Sequence, residues 1–497
     1  MNLWVGIAIR IMTVIWFVSG MAMMYHTGPA FTAQERLQAL KPVTLGPLDT
    51  LIDFATARRA LPRGTAVTRA RVMNMDGRVV YALYAEDGEH LLGLGLVDAS
   101  DGRLLSPISA EQAARTARAS QSFSGDAAVE LLVRGDRYFM GAEARGDFPV
   151  YRVAFADAGK TSVYVSARTG ETVARVDGRA RATTWIGVVP HRLYFQALCY
   201  DRFEMWLWLG MLVPGAAMAI AIADVVMGLI RVVSAHRDGG QPTGYNDEPR
   251  WLHLFGVVGG VLVFMWTLSG MLKATGASAT PSPTVLARAR GDTTVWAHPT
   301  LQVTNAVRRV LATAPGDSVL AVDLLRADDR SGYLVLLQSG SRVWVDAITG
   351  AMRRGIDRRE AERVARHLLQ TAASVVAAEY KAEADAFHRT TGDREPRLPA
   401  WRVAFADDAR TSVYLDPATA LPTAVVDDGV RRWGWWRDRL HSLDFPVLAK
   451  KRPLREAVIL PLMLIGTAWS LVGVWLSGRH LWRWRAPAQR ERTGESR

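Results

Sequence analysis

The fifteen-residue stretch YRVAFADAGKTSVYV, Tyr151–Val165, returns 250 residues later as WRVAFADDARTSVYL, Trp401–Leu415. Ten of its fifteen positions are identical, and the offset is close to half of the 497-residue chain. Shorter matches recur at the same offset, among them WFVSGM at 16–21 with WTLSGM at 266–271, Trp185 with Trp435, and His191 with His441. A fixed offset shared by separate motifs is typical of an internal repeat. The sequence therefore predicts two copies of one unit.

Four apolar runs are each long enough to cross a membrane as a helix. They cover residues 3–25, 205–230, 252–272 and 457–476. The first run is longer than the apolar part of a signal peptide and shares its WxxSGM motif with the third run, so we expect a retained helix. Because each copy has two spans, both copies enter the membrane in the same direction, and a pseudo-two-fold axis along the membrane normal should relate them.

The distribution of charged residues predicts the orientation of these spans and the class of partner that the chain binds. The linker 231–250 and the tail 477–497 are short and rich in arginine, which predicts that both are cytoplasmic. The large loops, 27–204 and 273–455, are then extracytoplasmic. The net charge of +12 comes with no nucleic-acid motif, so we expect membrane lipid and no nucleic acid as a partner. The single cysteine excludes an intramolecular disulfide.

The two large loops are predicted to be α+β. Strand pairs closed by small polar turns recur four times, at 97–102, 165–170, 345–350 and 415–420. Glycine or an Asp/Asn-type residue would supply the positive φ of such turns. Helical stretches at 110–119 and 357–370 lie between the strand sets, so each loop should form two small α+β units. No catalytic motif is present, and catalytic residues stay unknown. The expected fold is a membrane protein: a four-helix transmembrane bundle from two parallel repeats, each with a large extracytoplasmic loop domain.

Several motifs resemble a known family. The helix and strands ending in VDAITG (345–350) resemble PepSY domains, and WTLSGM (266–271), HLFGVVGG (253–260) and LHSLDFP (440–446) resemble the PepSY-associated transmembrane family. The resemblance covers essentially the whole chain. It implies a bacterial inner membrane and large loops in the periplasm. It also implies haem b, one or two per chain, between the helices, which passes electrons to a ferric siderophore or another periplasmic ligand in iron uptake.

Only one pair of the ten histidines is preserved by the repeat, His191 and His441. Under a parallel pseudo-two-fold axis they lie at the same depth on opposite sides of the axis. That arrangement suits two axial ligands of one haem iron. The alternative is that both are interfacial side chains in an aromatic belt, since tryptophan and tyrosine surround them.

Three more histidines are candidates for haem binding. His253 opens the third span and His480 follows the fourth, so a second haem near the cytoplasmic face could use them; the alternative is a polar anchor at a helix end. His26 follows the first span and is another candidate for the outer site. The family usually has a histidine near the start of the first span, which this chain lacks. Either the chain begins too late for it, or one haem site is altered or absent. We expect the other five histidines, His388 included, at the surface.

Two ionisable residues fall inside the spans, Arg10 and Asp224. A charge at such depth costs roughly 2.5–3.5 kcal/mol on insertion scales, so it usually has a partner. Helix rise places both in the cytoplasmic half of the membrane, within about 6 Å in depth. We expect them to form an intramembrane ion pair, or Arg10 to meet a haem propionate.

Three functions fit these features. The first is an electron-transfer protein of the ferric-chelate reductase type, with a quinol or a separate cytoplasmic reductase as donor. The second is a non-catalytic PepSY protein that binds or regulates an envelope protease or another partner, so enzymatic activity is left open. The third, a transporter, fits the parallel repeat but has few spans for that role.

Overall fold

A computed structural model describes residues 3–25, 31–43, 46, 51–87, 90–121, 125–139, 146–237, 250–273, 280–290, 300–328, 330–385, 387–388, 398–449 and 451–492. The chain divides into two units. The helical unit comprises Met1–Gly28, Ala182–Ala277 and Arg431–Arg497. The sheet unit comprises Pro29–Arg181 and Ser278–Val430.

The described helices and strands follow in chain order. The helices are α1 (Leu3–Met23), α2 (Ala33–Gln38), α3 (Phe54–Arg59), α4 (Ala110–Gln121), α5 (Gly178–Ile186), α6 (Val188–Arg192), α7 (Gln196–Cys199), α8 (Phe203–Arg237), α9 (Arg250–Lys273), α10 (Pro283–Arg290), α11 (Val303–Thr313), α12 (Arg358–Leu369), α13 (Asp428–Gly434), a π-helical turn (Trp435–Arg439), α14 (Leu440–Ser442), α15 (Pro446–Ala449) and α16 (Arg452–Arg492). The strands are β1 (Arg69–Met75), β2 (Arg78–Asp87), β3 (His90–Asp98), β4 (Ala127–Leu132), β5 (Val150–Phe155), β6 (Ser162–Ser166), β7 (Thr172–Val176), β8 (Val319–Ala327), β9 (Arg330–Leu337), β10 (Arg342–Asp346), β11 (Met352–Arg353), β12 (Val375–Lys381), β13 (Ala400–Phe405), β14 (Ser412–Leu415) and β15 (Pro422–Val426).

Four helices of the helical unit are long and apolar enough to cross a membrane. Their apolar segments are Leu3–Met23, Phe203–Arg231, Leu254–Lys273 and Arg452–Arg479. These segments lie where the sequence predicted the four spans. Together with the sheet-rich α+β regions, these helices are consistent with the predicted membrane protein.

Small residues let large side chains pack between these helices. A Cβ added at Gly466 of α16 would lie 2.3 Å from the ring of Phe17, and one at Gly259 of α9 would lie 2.3 Å from the ring of Trp469. Phe17 in turn meets Trp266 edge to face, with ring centroids 5.5 Å apart. Glycine is favoured here because transmembrane helices gain their association energy from close packing.

The sheet unit contains three antiparallel sheets. The largest has seven strands in the order β11-β10-β9-β8-β1-β2-β3, and the other two have the orders β4-β5-β6-β7 and β12-β13-β14-β15. The first strand sets of the two loops were expected in separate units, but they share the seven-stranded sheet through the antiparallel pair β1–β8. This pairing covers an edge that each smaller sheet would otherwise expose.

The repeated stretch forms a strand pair in both copies. Strand β5 pairs with β6 and β13 with β14, both antiparallel and with the same register at the 250-residue offset. In the connecting turns Asp157 accepts hydrogen bonds from the backbone N–H and hydroxyl of Thr161, and Asp407 does so from Thr411. The identical Asp and Thr are therefore explained by turn geometry.

Three of the four polar turns use glycine at positive φ, namely Gly102, Gly170 and Gly350. The fourth turn, at 415–420, has Ala420 at φ +66° instead. Neither glycine nor an Asp/Asn-type residue supplies the positive φ there, so that expectation does not hold for the fourth turn.

Candidate functional site

The structure brings His191 and His441 side by side within the helical unit. Their ring centroids are 6.2 Å apart and the ring planes are inclined by 65°. His191 lies in the last turn of α6 and His441 in α14. Both short helices end in a leucine with left-handed backbone conformation, Leu193 at φ 54° and Leu443 at φ 45°. The two short helices thus end in the same way, and their histidine rings lie side by side.

Each imidazole is held by the WxxSG motif of its own copy. His191 Nδ1 lies 3.1 Å from Ser19 Oγ and 3.2 Å from the carbonyl oxygen of Trp16. His441 Nδ1 lies 3.1 Å from Ser269 Oγ, and the indole Nε1 of Trp266 donates to the carbonyl oxygen of His441 at 2.8 Å. The motif shared by the first and third apolar runs therefore has a structural role beside the histidines.

Two glycines allow the rings to approach the helices. A Cβ added at Gly20 would lie 3.5 Å from Cε1 of His191 and 2.8 Å from Cε of Met463. One added at Gly270 would lie 3.3 Å from Cε1 of His441. Glycine at both positions is thus explained by close contact with the imidazoles.

The surroundings favour the neutral form of both histidines. Burial lowers the pKa of His191 to about 4, with a further contribution from the positive charge of Arg192. Burial likewise lowers the pKa of His441 to about 3, assisted by the positive charge of Lys273. A neutral imidazole is the form that binds metals.

The separation of the two rings is compatible with one metal centre bound between them. Neither Nε2 atom has a hydrogen-bond partner among the residues that the structure describes. A metal bound about 2 Å from one nitrogen of each imidazole would place the ring centres roughly 6 Å apart, close to the 6.2 Å observed. No cluster of three or more metal-binding side chains occurs in the described parts of the chain. A histidine pair suits an iron whose other positions are filled by a macrocycle.

The other three candidate histidines are not placed in a site. Helix α9 contains His253 and α16 contains His480, but the structure describes neither side chain. His26 lies outside the described residues. The second haem site and its ligands therefore stay a prediction.

Arg10 and Asp224 meet within the apolar helices. Arg10 Nη2 donates to Asp224 Oδ2 at 2.6 Å, which joins α1 to α8. The guanidinium carbon of Arg10 also lies 4.8 Å from the ring centre of Trp469. Gly473 makes room for this side chain, because an added Cβ would lie 2.2 Å from Arg10 Nη1. The described geometry shows Arg10 paired with a carboxylate, as one of the two alternatives expected.

His388 is buried, contrary to the expectation of a surface residue. It is 6% exposed and stacks on Tyr414, with ring centroids 4.7 Å apart. Its Nε2 lies 3.1 Å from Thr423 Oγ1, while its buried Nδ1 has no hydrogen-bond partner among the described groups. Burial lowers the pKa of His388, although the carboxylate of Asp385 acts in the opposite direction. The alignment of the two copies could have shown that this position belongs to a packed motif.

A buried ionic network in the sheet unit was also missed. Asp323 is 1% exposed and accepts hydrogen bonds from Arg69 and Arg71 of the neighbouring strand. Arg71 donates in addition to Glu171 at 2.5 Å, and Tyr84 donates to the same carboxylate at 2.6 Å. Because these residues are distant in sequence, no local pattern indicated that they meet.

Comparison with known proteins adds no assignment: no protein-family model and no curated protein matches this chain.

Proposed function

We propose that the chain is a haem-dependent electron-transfer protein of a bacterial inner membrane, which reduces an extracytoplasmic ferric complex such as a ferric siderophore. The observation that carries the proposal is the His191–His441 pair, two imidazoles whose ring centroids are 6.2 Å apart. Four apolar helices of spanning length and the family resemblance support it. We further propose two parallel repeats, with both large loops in the periplasm.

In this proposal His191 and His441 hold one haem b through their Nε2 atoms. When bound, haem supplies reversible one-electron transfer, the chemistry that converts ferric to ferrous iron. Ser19 and Ser269 orient the two imidazoles, and Gly20 and Gly270 bring them close to the helices.

Reduction of the ferric complex needs an electron donor, and the number of electrons transferred sets the stoichiometry. Each ferric ion takes up one electron, so one quinol, which releases two electrons and two protons, suffices for two ferric ions. A separate cytoplasmic reductase is the other class of donor. Ferrous iron binds hard oxygen ligands less strongly than ferric iron does, so its release from a siderophore follows reduction.

A second function is favoured by the edges of the two four-stranded sheets. Strands β4 and β12 lie at sheet edges and expose apolar side chains, among them Leu131, Val376 and Tyr380. Such edges can accept a strand from another protein. A non-catalytic protein that binds or regulates an envelope protease would use these edges and would need no cofactor.

Spheroplasts that express the protein distinguish the two functions. A ferric chelate that cannot cross the membrane is added outside, and ferrous iron is trapped with a coloured chelator. The initial rate of ferric reduction is corrected for the rate of cells without the protein. We expect this corrected rate to be lost in His191→Ala and His441→Ala. It should be kept in His367→Ala, whose histidine is exposed. Equal rates in all three variants would contradict electron transfer through the histidine pair.

A further inference from the structure

The two serines beside the histidines have a defined hydrogen-bond direction. Ser19 Oγ lies 3.2 Å from the carbonyl oxygen of Trp16, and Ser269 Oγ lies 3.1 Å from that of Trp266. A carbonyl oxygen only accepts, and a hydroxyl has a single hydrogen. Each serine therefore donates to the tryptophan carbonyl and turns a lone pair towards the imidazole.

The same tryptophan carbonyl also faces Nδ1 of the histidine. Trp16 O lies 3.2 Å from His191 Nδ1, next to Ser19 Oγ at 3.1 Å. Both neighbours of Nδ1 are then acceptors. An unprotonated Nδ1 could accept only by drawing the serine hydrogen away from the tryptophan carbonyl, and its lone pair would then face that carbonyl oxygen at 3.2 Å. A hydrogen on Nδ1 satisfies both contacts of His191 at once, and in the second copy Ser269 Oγ, which also donates to Trp266 O, faces His441 Nδ1 in the same way.

We propose that Ser19 and Ser269, together with the two tryptophan carbonyls, are positioning residues that hold both histidines in the Nδ1–H tautomer. Each Nε2 then carries the lone pair and points it away from the hydrogen-bonded edge of its ring. The tautomer assignment stands on the hydrogen bonds alone. The consequence is that both Nε2 atoms carry a lone pair with which they can bind one metal centre. This consequence rests on the proposed function.

The expected size of the effect follows from other metal sites. Loss of a group that orients a metal-binding histidine typically weakens metal binding 10- to 100-fold. Because the two copies hold their imidazoles in the same way, Ser19→Ala and Ser269→Ala should weaken haemin binding by similar factors. The matched control is Ser470→Ala, because Ser470 is fully buried in α16 and, among the described residues, its hydroxyl donates to the carbonyl oxygen of Gly466.

The test is ¹⁵N NMR of the full-length protein with labelled histidine in lipid nanodiscs, without added haem. His191→Gln and His441→Gln assign the two signals. We expect both histidines to show the Nδ1–H tautomer at pH 7, Ser19→Ala to introduce the other tautomer at His191 only, and Ser19→Thr to restore the wild-type signal. Haemin titration should then show a Kd raised 10- to 100-fold in Ser19→Ala and Ser269→Ala, and unchanged in Ser470→Ala.

The results of these two measurements distinguish the positioning proposal from the proposed function. Nε2–H signals for both histidines in the wild-type protein would overturn the proposal before any variant is made. Serine variants that behave like Ser470→Ala in both measurements would also overturn it. If the tautomers are as expected but the wild-type protein binds no haemin, the positioning role stands and the proposed function fails.

Discussion

At the scale of single residues, His388 occupies a position that Phe139 fills in the first copy. Phe139 stacks on Tyr164 with ring centroids 5.1 Å apart, as His388 stacks on Tyr414. In both copies the tyrosine hydroxyl donates to an aspartate at 2.7 Å, and that aspartate caps the turn that carries the stacked ring. The second copy thus places a titratable ring, one nitrogen of which has no hydrogen-bond partner among the described residues, where the first has a hydrocarbon.

His388→Phe should therefore stabilise the protein against acid. Because burial lowers the pKa of His388 below 6.5, the unfolded chain takes up a proton there that the native protein does not. The histidine thus costs stability progressively as pH falls below about 6.5. We expect His388→Phe to raise the free energy of unfolding by about 1–3 kcal/mol at neutral pH, since an unpaired buried polar atom is removed.

The measurement is denaturant unfolding of the purified protein at pH 7.5 and 5.5. The advantage of the variant should grow at the lower pH. His367→Phe serves as the control, since His367 is exposed. An identical pH dependence in His388→Phe and the wild-type protein would contradict this account.

The sequence predicted part of this residue-level arrangement. The repeat singled out His191 and His441, because they are the one histidine pair that the 250-residue offset preserves. It could not show that their rings would be 6.2 Å apart, or that a serine would lie beside each Nδ1. Those contacts depend on how short helices end, and no residue type at Leu193 or Leu443 indicates a left-handed conformation.

At the scale of helices, the two copies differ in the part that contains Arg10. The repeat equivalents of Arg10 and Asp224 are Gly260 and Val474, so the ion pair occurs once. An added Cβ at Gly260 would lie 2.7 Å from Val225, which shows that α9 and α8 pack closely at this point. The position that carries the charged side chain in the first copy is therefore a close helix contact in the second.

Arg10→Leu should destabilise the helical unit more than the double variant Arg10→Leu/Asp224→Leu. The single change leaves Asp224 without its 2.6 Å partner in an apolar helix, which should cost about 2.5–3.5 kcal/mol. Removing both charges also removes the desolvation cost. Unfolding by detergent titration in bicelles measures both variants; a double variant as unstable as the sum of the two single ones would contradict the ion-pair account.

Contacts between helices explain part of the glycine motif HLFGVVGG, 253–260. Trp469 Nε1 donates to the carbonyl oxygen of Gly256 at 3.1 Å, and its ring lies against Gly259. The motif was predictable as part of a span. Its partner helix was not, because the spacing of glycines shows only that some large group approaches.

At the scale of the whole molecule, the seven-stranded sheet links the two halves of the chain. Strand β1 pairs with β8 across some 250 residues of sequence, with Arg71 opposite Asp323. The repeat predicted equivalent strands but not that they would pair, since strand patterns reveal faces and not neighbours. The buried ionic network belongs to this non-local contact and was invisible for the same reason.

Asp323→Ala should weaken that link strongly. Burial alone would raise the pKa of Asp323, but Arg69 and Arg71 lower it to about 2. Its contribution to stability is therefore complete above about pH 4 and is lost as pH falls towards 2. Removal leaves two guanidinium groups without their carboxylate and should cost about 3–5 kcal/mol at pH 7.

Denaturant unfolding at pH 7 checks this cost. Arg358→Ala is the control, since its ion pair with Glu362 is exposed and should contribute at most about 0.5 kcal/mol. Equal effects of the two substitutions would show that the buried network does not stabilise the sheet.

The central claim is that His191 and His441 together bind one haem. Its most direct test is the haem content of the full-length protein purified from membranes, measured by absorption in alkaline pyridine. We predict haem in the wild-type protein and in His388→Phe, and its loss in both His191→Ala and His441→Ala. A well-folded wild-type protein without haem, or the same haem content in all four proteins, would contradict the claim.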